Sequence, residues 1–461
     1  MNNICDLPLD RLSRLLRRGA LSPSEAVEAY LARIEALDGV LNAFIEVTAD
    51  QARAAARESD RRRNGAELGP LDGVPLALKD LIDVAGVATT NGMGALRHAI
   101  AAEDAEVTRR LKAAGAVLLG KLNMHEGALG MTTDNIHFGK CRNPWNTTAT
   151  PGGSSGGPGA AVAAGLAAGA LGSDNMGSIR IPSAFCGIAG LKPSHGLVGT
   201  RGVVELSWST GVVGPMARGV DGLAILMSVL AGPDPRDPWA RQTPEALDFT
   251  LPEAPELAGL KIGVPEDFAC KPAPETARAF ERAAGVLGDL GAEIRPMAIE
   301  GLTASRMTCL LIIEAEGAVA YARYLDDPTV VFAAEVRQQL DYGRDLPVAK
   351  LVGALKARDL LRRRVEALFQ EVDLLMSPTT PRAALSFDQA APANTPGYMA
   401  LANLCGLPAL SVPMGFDADG LPLGLQLIAA PFRDPLVLRV GKAYERATDW
   451  HERRPEPVAA A

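Results

Sequence analysis

The sequence PGGSSGGPG occupies Pro151–Gly159, and SDNMGSIRIP follows it at Ser173–Pro182. Both stretches surround serine with small residues, and the alanine-rich run between them predicts a helix. Neither is a phosphate-binding P-loop, because the Lys-Ser/Thr ending is missing, and neither is a GxSxG nucleophile elbow. Small residues before a helix expose backbone N–H groups, so the groups of residues 175–178 could form an oxyanion hole. The alternative is a glycine-rich turn that only permits close packing.

A serine nucleophile needs a base to accept its proton, and no histidine lies beside either stretch. The five histidines also lack the spacing of a zinc site. Lysine is the usual substitute, because burial disfavours the ammonium form and lowers its pKa. Lys79, in the apolar segment VPLALKDLIDV, is the first candidate base, and Lys121 in LLGKLNM is the second. A structural ion pair, for example of Lys79 with Asp80, is the remaining alternative.

Strands and helices alternate on both sides of these stretches. Ser22, Pro23 and Glu25 form the capping box of a predicted helix, and a second helix is predicted over 49–63. Further on, VPLALKDLIDV and VLLGKLNM are typical of buried strands, with a predicted helix between them. Near the C-terminus, VDLLMSPTTP, PALSVPM and PLGLQLIAA predict three more strands. This alternation indicates an α/β sheet.

The composition is that of a globular protein, since 48% of the 461 residues are hydrophobic and 22% are charged. A net charge of −8, without a long Lys/Arg block, argues against nucleic-acid binding. The six cysteines are scattered without a CxxC pair, which is typical of free thiols in a reducing compartment. Since neither a signal peptide nor a bilayer-length apolar segment is visible, we predict a cytoplasmic protein.

Three segments, LDGVPLALKD, TPGGSSGGPGAAVAAG and LGSDNMGSIRIPSAFCGIAGLKPS, resemble the amidase signature family in their order and spacing. The resemblance extends through NPWNTT and VGPMAR to the C-terminal LCGLPALSVPMG and GLPLGLQLIA. It implies an α/β/α sandwich in which helices cover a large, twisted, mixed β-sheet. It also implies a single amidase domain over 1–461, with N-terminal helices in 1–65, the signature core in 66–220 and a variable helical wall of the substrate pocket in 300–355.

The resemblance implies a catalytic triad of a serine, a serine in a cis peptide and a lysine. The matching residues are Ser178 as the nucleophile, Ser154 as the bridging serine and Lys79 as the base. The proton of Ser178 would pass through Ser154 to Lys79, and Ser154 could return a proton to the leaving nitrogen. The usual Gly-Gly-Ser of the family is replaced here by Met176-Gly177-Ser178, and a positive φ at Met176 would be strained.

The resemblance also implies three further groups of site residues. Backbone N–H groups beside the nucleophile would form the oxyanion hole, the segment ALGMTTDN would line the acyl pocket or pack on the core as a loop, and three polar residues would support the serine loops. The oxyanion-hole group is Asn175, Met176, Gly177 and Ser178. The pocket group is Ala128, Gly130, Met131 and Thr132, and the supporting group is Ser155, Asp174 and Arg180. We expect no metal and no cofactor.

We therefore predict a serine hydrolase that cleaves C–N bonds of small or aryl amides, anilides or carbamates through an acyl-enzyme, with esterase activity as a side reaction. Its expected partner is a small amide or carbamate molecule, without nucleic acid or membrane, and its expected state is a monomer or homodimer. One alternative is the A subunit of a glutamyl-tRNA(Gln) amidotransferase, although the sequence after LKP is SHGLVGTRGVVELSWSTG instead of the usual tyrosine-glycine and serine-rich stretch. The other alternative is a non-catalytic binding protein of the same fold.

Overall fold

Apolar segments distributed over the whole chain form the strands of one large sheet. The computed structural model describes residues 4–62, 68–241, 246–268, 270–389 and 395–456. Its thirteen strands within these ranges are β1 (Phe44–Val47), β2 (Pro75–Lys79), β3 (Val117–Leu122), β4 (Asp134–Asn135), β5 (Gly139–Lys140), β6 (Gly169–Asp174), β7 (Ala189–Lys192), β8 (Val212–Ala217), β9 (Lys261–Pro265), β10 (Glu293–Met297), β11 (Leu374–Pro378), β12 (Ala409–Phe416) and β13 (Pro422–Ala429).

Helices connect and cover these strands. In the same described ranges, the fourteen α-helices are α1 (Leu9–Arg18), α2 (Pro23–Leu41), α3 (Ala49–Arg62), α4 (Glu106–Ala113), α5 (Gly156–Ala163), α6 (Arg180–Cys186), α7 (Val220–Leu230), α8 (Pro274–Asp289), α9 (Ser305–Ala320), α10 (Ala322–Leu325), α11 (Ala334–Arg344), α12 (Val348–Leu368), α13 (Ala400–Leu404) and α14 (Asp434–Ala447). None of the described helices is long and apolar enough to cross a membrane.

Eleven strands form the main sheet, in the order β1-β3-β2-β6-β8-β7-β12-β13-β11-β9-β10. β2 is parallel to both of its neighbours, β3 and β6, whereas β6 and β8 are antiparallel. The sheet is therefore mixed, and the predicted α/β fold with a large mixed sheet and covering helices is confirmed. Because β2 and β6 are adjacent and parallel, their carboxyl ends meet at one edge of the sheet, which is where both serine stretches lie.

The N-terminal helices form as the sequence predicts. The Oγ of Ser22 accepts the Glu25 N–H at 3.1 Å, and the Glu25 carboxylate accepts the Ser22 N–H at 2.8 Å, which completes the capping box of α2. Helix α2 contacts β2, and α1 contacts α7, so both helices pack on the core. The division into an N-terminal region, a signature core and a variable wall within one domain stays a prediction.

Several elements differ from the prediction, for identifiable reasons. The strand expected over VPLALKDLIDV ends at Lys79, because the Ile82 N–H donates to the Lys79 carbonyl at 3.0 Å and turns the chain. The sequence of β6, GALGSD, does not predict a strand, since glycine and alanine have weak strand propensity. Helix α12 runs from Val348 to Leu368 and therefore crosses residue 355, the predicted end of the variable wall.

Candidate active site

Lys79 lies at the carboxyl end of β2, completely buried. Its Nζ is 2.7 Å from the Oγ of Ser154 and 2.9 Å from the Oγ of Ser173. Burial lowers the pKa of Lys79 well below the usual value, and the carboxylate of Asp174 offsets only part of this effect. Burial therefore favours the neutral amine, which can accept a proton from a neighbouring hydroxyl.

Lys121, the second candidate base, is held in a different environment on the adjacent strand β3. Its Nζ forms an ion pair with the Asp80 carboxylate at 2.9 Å. The same ammonium group donates to the carbonyl oxygen of Ala88 and to the Oγ1 of Thr89, each at 2.9 Å. The structure therefore pairs Asp80 with Lys121 and not with Lys79, and it assigns Lys121 a structural role.

The two serine stretches are joined by one backbone hydrogen bond and by contacts of the Ser155 side chain. The peptide bond between Gly153 and Ser154 is cis. The N–H of Ser155 donates to the carbonyl oxygen of Ser178 at 3.2 Å, so the loop of the bridging serine lies directly against the loop of the proposed nucleophile. The Oγ of Ser155 also contacts the backbone of Ser173, at 3.2 and 3.3 Å. Ser155 thus supports both loops through its main chain and its side chain.

Asp174, at the end of β6, shapes the loop that carries Ser178. Its carboxylate accepts the N–H of Gly177 at 2.6 Å and the N–H of Ile179 at 3.2 Å. The Gly177 N–H is therefore engaged and is removed from the predicted oxyanion hole. The positive φ of this loop, 106°, falls on Gly177 and not on Met176, so methionine introduces no backbone strain.

Three of the four predicted oxyanion donors keep N–H groups that donate to no acceptor within the described part of the chain. They belong to Asn175, Met176 and Ser178. All three residues line the same cavity. The loop can therefore still offer more than one backbone donor to a developing oxyanion.

Arg180 connects the loop of Ser178 to the C-terminal half of the chain. Its guanidinium contacts both carboxylate oxygens of Asp174 at 3.0 Å, and both side chains are completely buried. It also donates to the side-chain oxygens of Asn403, at 2.5 Å, and Gln426, at 2.6 Å. Burial alone would raise the pKa of Asp174, but Arg180 and further cations and donors hold it below the usual carboxyl range. Asp174 is therefore a carboxylate throughout the physiological pH range.

A cavity of about 560 Å³ opens beside Ser178. All four residues predicted for the acyl pocket line it, together with side chains of α9 and α11. Its lining comprises His125, Ala128, Leu129, Gly130, Met131, Thr132, Gly153, Asn175, Met176, Ser178, Ile181, Leu206, Arg306, Leu310, Ile313, Glu335, Gln339 and Pro396. Within the described residues, no group of three or more His, Cys, Asp or Glu side chains could hold a metal ion.

Sequence reasoning misses several residues of this site. Ser173 contacts Lys79 directly, but a serine at the end of a glycine-rich strand has no distinctive pattern; only the β2–β6 pairing reveals it. His125 has neither metal-ligand nor triad spacing in the sequence, yet it lies in the cavity wall. Arg306 and Glu335 reach the cavity from α9 and α11. The charge of Arg306 in the largely apolar α9 is a weak signal in the sequence, whereas Glu335 lies in a mostly polar helix and has none.

Comparisons with known proteins agree on the family. The amidase family model matches residues 25–438. The glutamyl-tRNA(Gln) amidotransferase A subunit of Roseiflexus sp. (strain RS-1) is 40% identical over 487 aligned positions, which cover 99% of each chain. One solved structure is 36% identical, with a TM-score of 0.90 over 98% of this chain and 100% of that chain. It is described as an unexpected vestigial protein complex that reveals the evolutionary origins of an s-triazine catabolic enzyme. The structure of the native peptide amidase of Stenotrophomonas maltophilia is 31% identical, with a TM-score of 0.85 over 98% of this chain and 99% of that chain.

These relatives correct one expectation. The sequence analysis predicts a monomer or homodimer whose partner is only a small molecule, but one relative is by its name part of an amidotransferase and another was solved as a protein complex. The prediction is therefore wrong, and its reason is physical: a net charge and a fold class carry no information about the surfaces that bind other chains.

The family prediction, in contrast, is confirmed over nearly the whole length, and this chain belongs to the amidase signature family as one of its serine hydrolases.

Proposed function

We propose that this chain is the amide-cleaving component of an amidotransferase-type complex, in which it releases ammonia from a small amide donor. The observation that carries the chemistry is the 2.7 Å contact between a fully buried Lys79 and the Oγ of Ser154, on the loop joined to Ser178. The identity of 40% with an amidotransferase component over 99% of both chains supports the assignment to a complex. The partners that we propose are therefore other protein chains.

In the proposed first step, the Oγ of Ser178 attacks the carbonyl carbon of the amide. Its proton moves to Ser154, whose own proton moves to the neutral amine of Lys79. The negative charge that develops on the carbonyl oxygen is bound by the N–H groups of Asn175 and Met176, and each such donor contributes about 3–4 kcal/mol.

In the proposed second step, the C–N bond breaks as Ser154 gives a proton to the leaving nitrogen and recovers one from Lys79, which becomes a neutral amine again. The product is ammonia, and the acyl group remains as an ester on Ser178. A water molecule then attacks this ester, and its proton passes through Ser154 to Lys79. As the acid leaves, this proton returns through Ser154 to the Oγ of Ser178. The sum of both steps is hydrolysis of one amide bond by one water molecule.

The charges of the cavity support an amino acid amide, such as glutamine, as the donor. Among its mainly apolar walls, the cavity contains one cationic side chain, Arg306, and one anionic side chain, Glu335. A zwitterionic head group carries the complementary pair of charges, and a guanidinium binds a carboxylate with two parallel hydrogen bonds.

A second candidate is hydrolysis of an uncharged small or aryl amide, anilide or carbamate, with activity on esters. The observation that favours it is the apolar surface around Ser178, to which Met131, Ile181, Leu310 and Ile313 contribute. The structural similarity to a peptide amidase also supports a hydrolase that acts without an acceptor. Apolar walls bind aryl and alkyl groups by excluding water.

A fluorophosphonate probe tests the nucleophile. It should label Ser178, and Ser178→Ala should abolish both labelling and turnover, with a loss on the order of 10⁶-fold. Ser183→Ala is the matched control, because Ser183 is a buried serine on the following helix whose Oγ only donates to the Ile179 carbonyl, at 2.8 Å. Labelling that survives in Ser178→Ala would overturn the assignment.

A donor panel separates the two candidate functions. Ammonia release from L-glutamine should be measured beside hydrolysis of p-nitroanilides, carbamates and aryl esters, both for the purified chain and for the complex recovered with its native partners. Glutamine turnover that increases in the complex supports the amidotransferase role. Rapid anilide or carbamate hydrolysis by the chain alone, with no glutamine turnover in either sample, would establish the second candidate instead.

A further inference from the structure

His125 is buried in the cavity wall, and the proton relay does not use it. The residue is only 3% exposed, and its Nε2 has no hydrogen-bond partner among the described residues. Its main chain is fixed next to the reaction centre, because its N–H donates to the Ser154 carbonyl at 3.1 Å. A buried polar atom without a partner is costly, and in a ligand cavity it indicates a group that the ligand satisfies.

The surroundings of the imidazole ring fix its position and determine which ring nitrogen carries the hydrogen. The Nδ1 lies 3.4 Å from the Oγ1 of Thr132, which already accepts the Asp134 N–H at 3.3 Å. We assign the Thr132 hydroxyl as the donor to Nδ1, which leaves the ring hydrogen on Nε2. Burial lowers the pKa of His125 to about 4, so the ring is neutral at pH 7. A Cβ at Gly130 would lie 2.1 Å from Nε2, so only glycine leaves room for this ring.

An acceptor lies next to this donor. The Oε1 of Glu335, in the first turn of α11, is 3.8 Å from the Nε2 of His125. This separation is too long for a direct hydrogen bond. Both residues line the same cavity as Ser178, and the Glu335 side chain is 57% exposed, so it is accessible to a substrate. The pair therefore offers one N–H donor and one carboxylate acceptor side by side.

We propose that His125 and Glu335 bind the acyl part of the substrate through a polar head group that carries an oxygen acceptor beside an N–H donor. The oxygen accepts from the Nε2–H of His125, and the N–H group donates to the carboxylate of Glu335. Two head groups have this chemistry, the α-amino acid group of a molecule such as glutamine and a second carboxamide. This inference rests on the proposed amide cleavage at Ser178 and names the class of substrate for that site.

Three amides with the same five-carbon chain test the proposal. L-glutamine carries an α-amino acid group, glutaramide carries a second carboxamide, and pentanamide carries neither. The kcat/KM of at least one of the first two should exceed that of pentanamide by about 10-fold to 100-fold, because an analogue that leaves buried polar groups unpaired is rejected. Equal values for all three amides would overturn the proposal.

Substitutions at the pair make the test specific. His125→Leu should lower the ratio of kcat/KM for the preferred polar amide over pentanamide by at least about 10-fold, mainly through KM. His125→Gln should restore part of the ratio, since its amide nitrogen can occupy the place of Nε2. Gly130→Ala, which displaces the ring without removing it, should lower the ratio as well. The exposed His98→Leu is the matched control and should keep the wild-type ratio. A ratio that is unchanged in all His125 and Gly130 variants would refute the role.

Two further readouts separate the possible outcomes. Glu335→Gln should reduce glutamine turnover more than glutaramide turnover if the head group is an ammonium, and should affect both alike if it is a neutral amide. Labelling of wild-type Ser178 by a fluorophosphonate reports amide-cleaving chemistry independently of the head group. If Ser178 is not labelled, the proposed function fails. If it is labelled but the amides are not discriminated, only this inference fails.

Discussion

Lys79 and Lys121 are both fully buried on adjacent strands, and we expect opposite responses when each is replaced by methionine. Lys79 contacts two serine hydroxyls, and burial favours its neutral form, so Lys79→Met removes the proposed base without leaving a charge unpaired. Lys121 pairs with Asp80 at 2.9 Å, so Lys121→Met leaves a buried carboxylate without its cation. The first variant should lose activity, and the second should lose stability.

The expected magnitudes follow from these contacts. General-base catalysis contributes about 10²–10⁴-fold, and kcat/KM of Lys79→Met should fall by at least this factor. Removal of one partner from a buried ion pair costs about 3–5 kcal/mol. An unfolding entropy of about 2.1 cal/mol/K per residue amounts to about 1 kcal/mol/K for 461 residues, so Lys121→Met should lower Tm by about 3–5 °C.

The stability of the two lysine variants should also depend differently on pH. In the unfolded chain, lysine holds its proton up to a pKa of about 10.4. The pKa of Lys79 in the folded protein is well below that value, so the unfolded state binds more protons between the two values. The wild-type free energy of unfolding should therefore rise with pH across this window, by about 1.4 kcal/mol per pH unit relative to Lys79→Met.

These effects are measured by thermal unfolding at several pH values between about pH 7 and about pH 9, and by the rate of amide hydrolysis of each variant. Lys356→Met, at an exposed position on α12, is the control and should change neither quantity. The reasoning is refuted if Lys121→Met loses activity at unchanged Tm. It is equally refuted if Lys79→Met loses as much stability as Lys121→Met without any dependence on pH.

Three further predictions concern the proton relay and its supports. Ser154→Ala should slow hydrolysis of an alkyl amide most, an anilide less and an aryl ester least, because only the amide needs a protonated leaving group; equal losses for the three substrates would show that Ser154 is not the acid. Wild-type activity should rise with pH, with a midpoint below about 10.4 because burial lowers the pKa of Lys79, and a flat pH–rate profile from about pH 6 to about pH 10 would exclude a lysine base whose pKa lies in that range. Arg180→Met should lower Tm by about 3–5 °C and slow fluorophosphonate labelling of Ser178, since it leaves the Asp174 carboxylate unpaired; unchanged labelling would mean that the ion pair does not shape the loop.

The sequence predicts those parts of the site that depend on local chemistry. A lysine among apolar residues predicts a depressed pKa, and glycine around serine predicts loops with exposed N–H groups. The contact between Ser173 and Lys79 depends on the pairing of β2 with β6, which no local pattern specifies. In the same way, the 3.8 Å approach of Glu335, on α11, to His125 joins segments that lie far apart in the sequence. Pairings between distant segments are set by burial of the whole core, which single-sequence patterns do not encode.

The two hydroxyls around Lys79 have a consequence for the direction of proton transfer. A neutral lysine amine has one lone pair and two hydrogens, so it can accept from only one of the two serines. When the Ser154 hydroxyl donates to the lone pair at 2.7 Å, the Oγ of Ser173 at 2.9 Å receives one of the N–H hydrogens. Ser173 thereby prevents rotation of the amine and keeps its lone pair aimed along the relay, although no transferred proton passes through Ser173 itself.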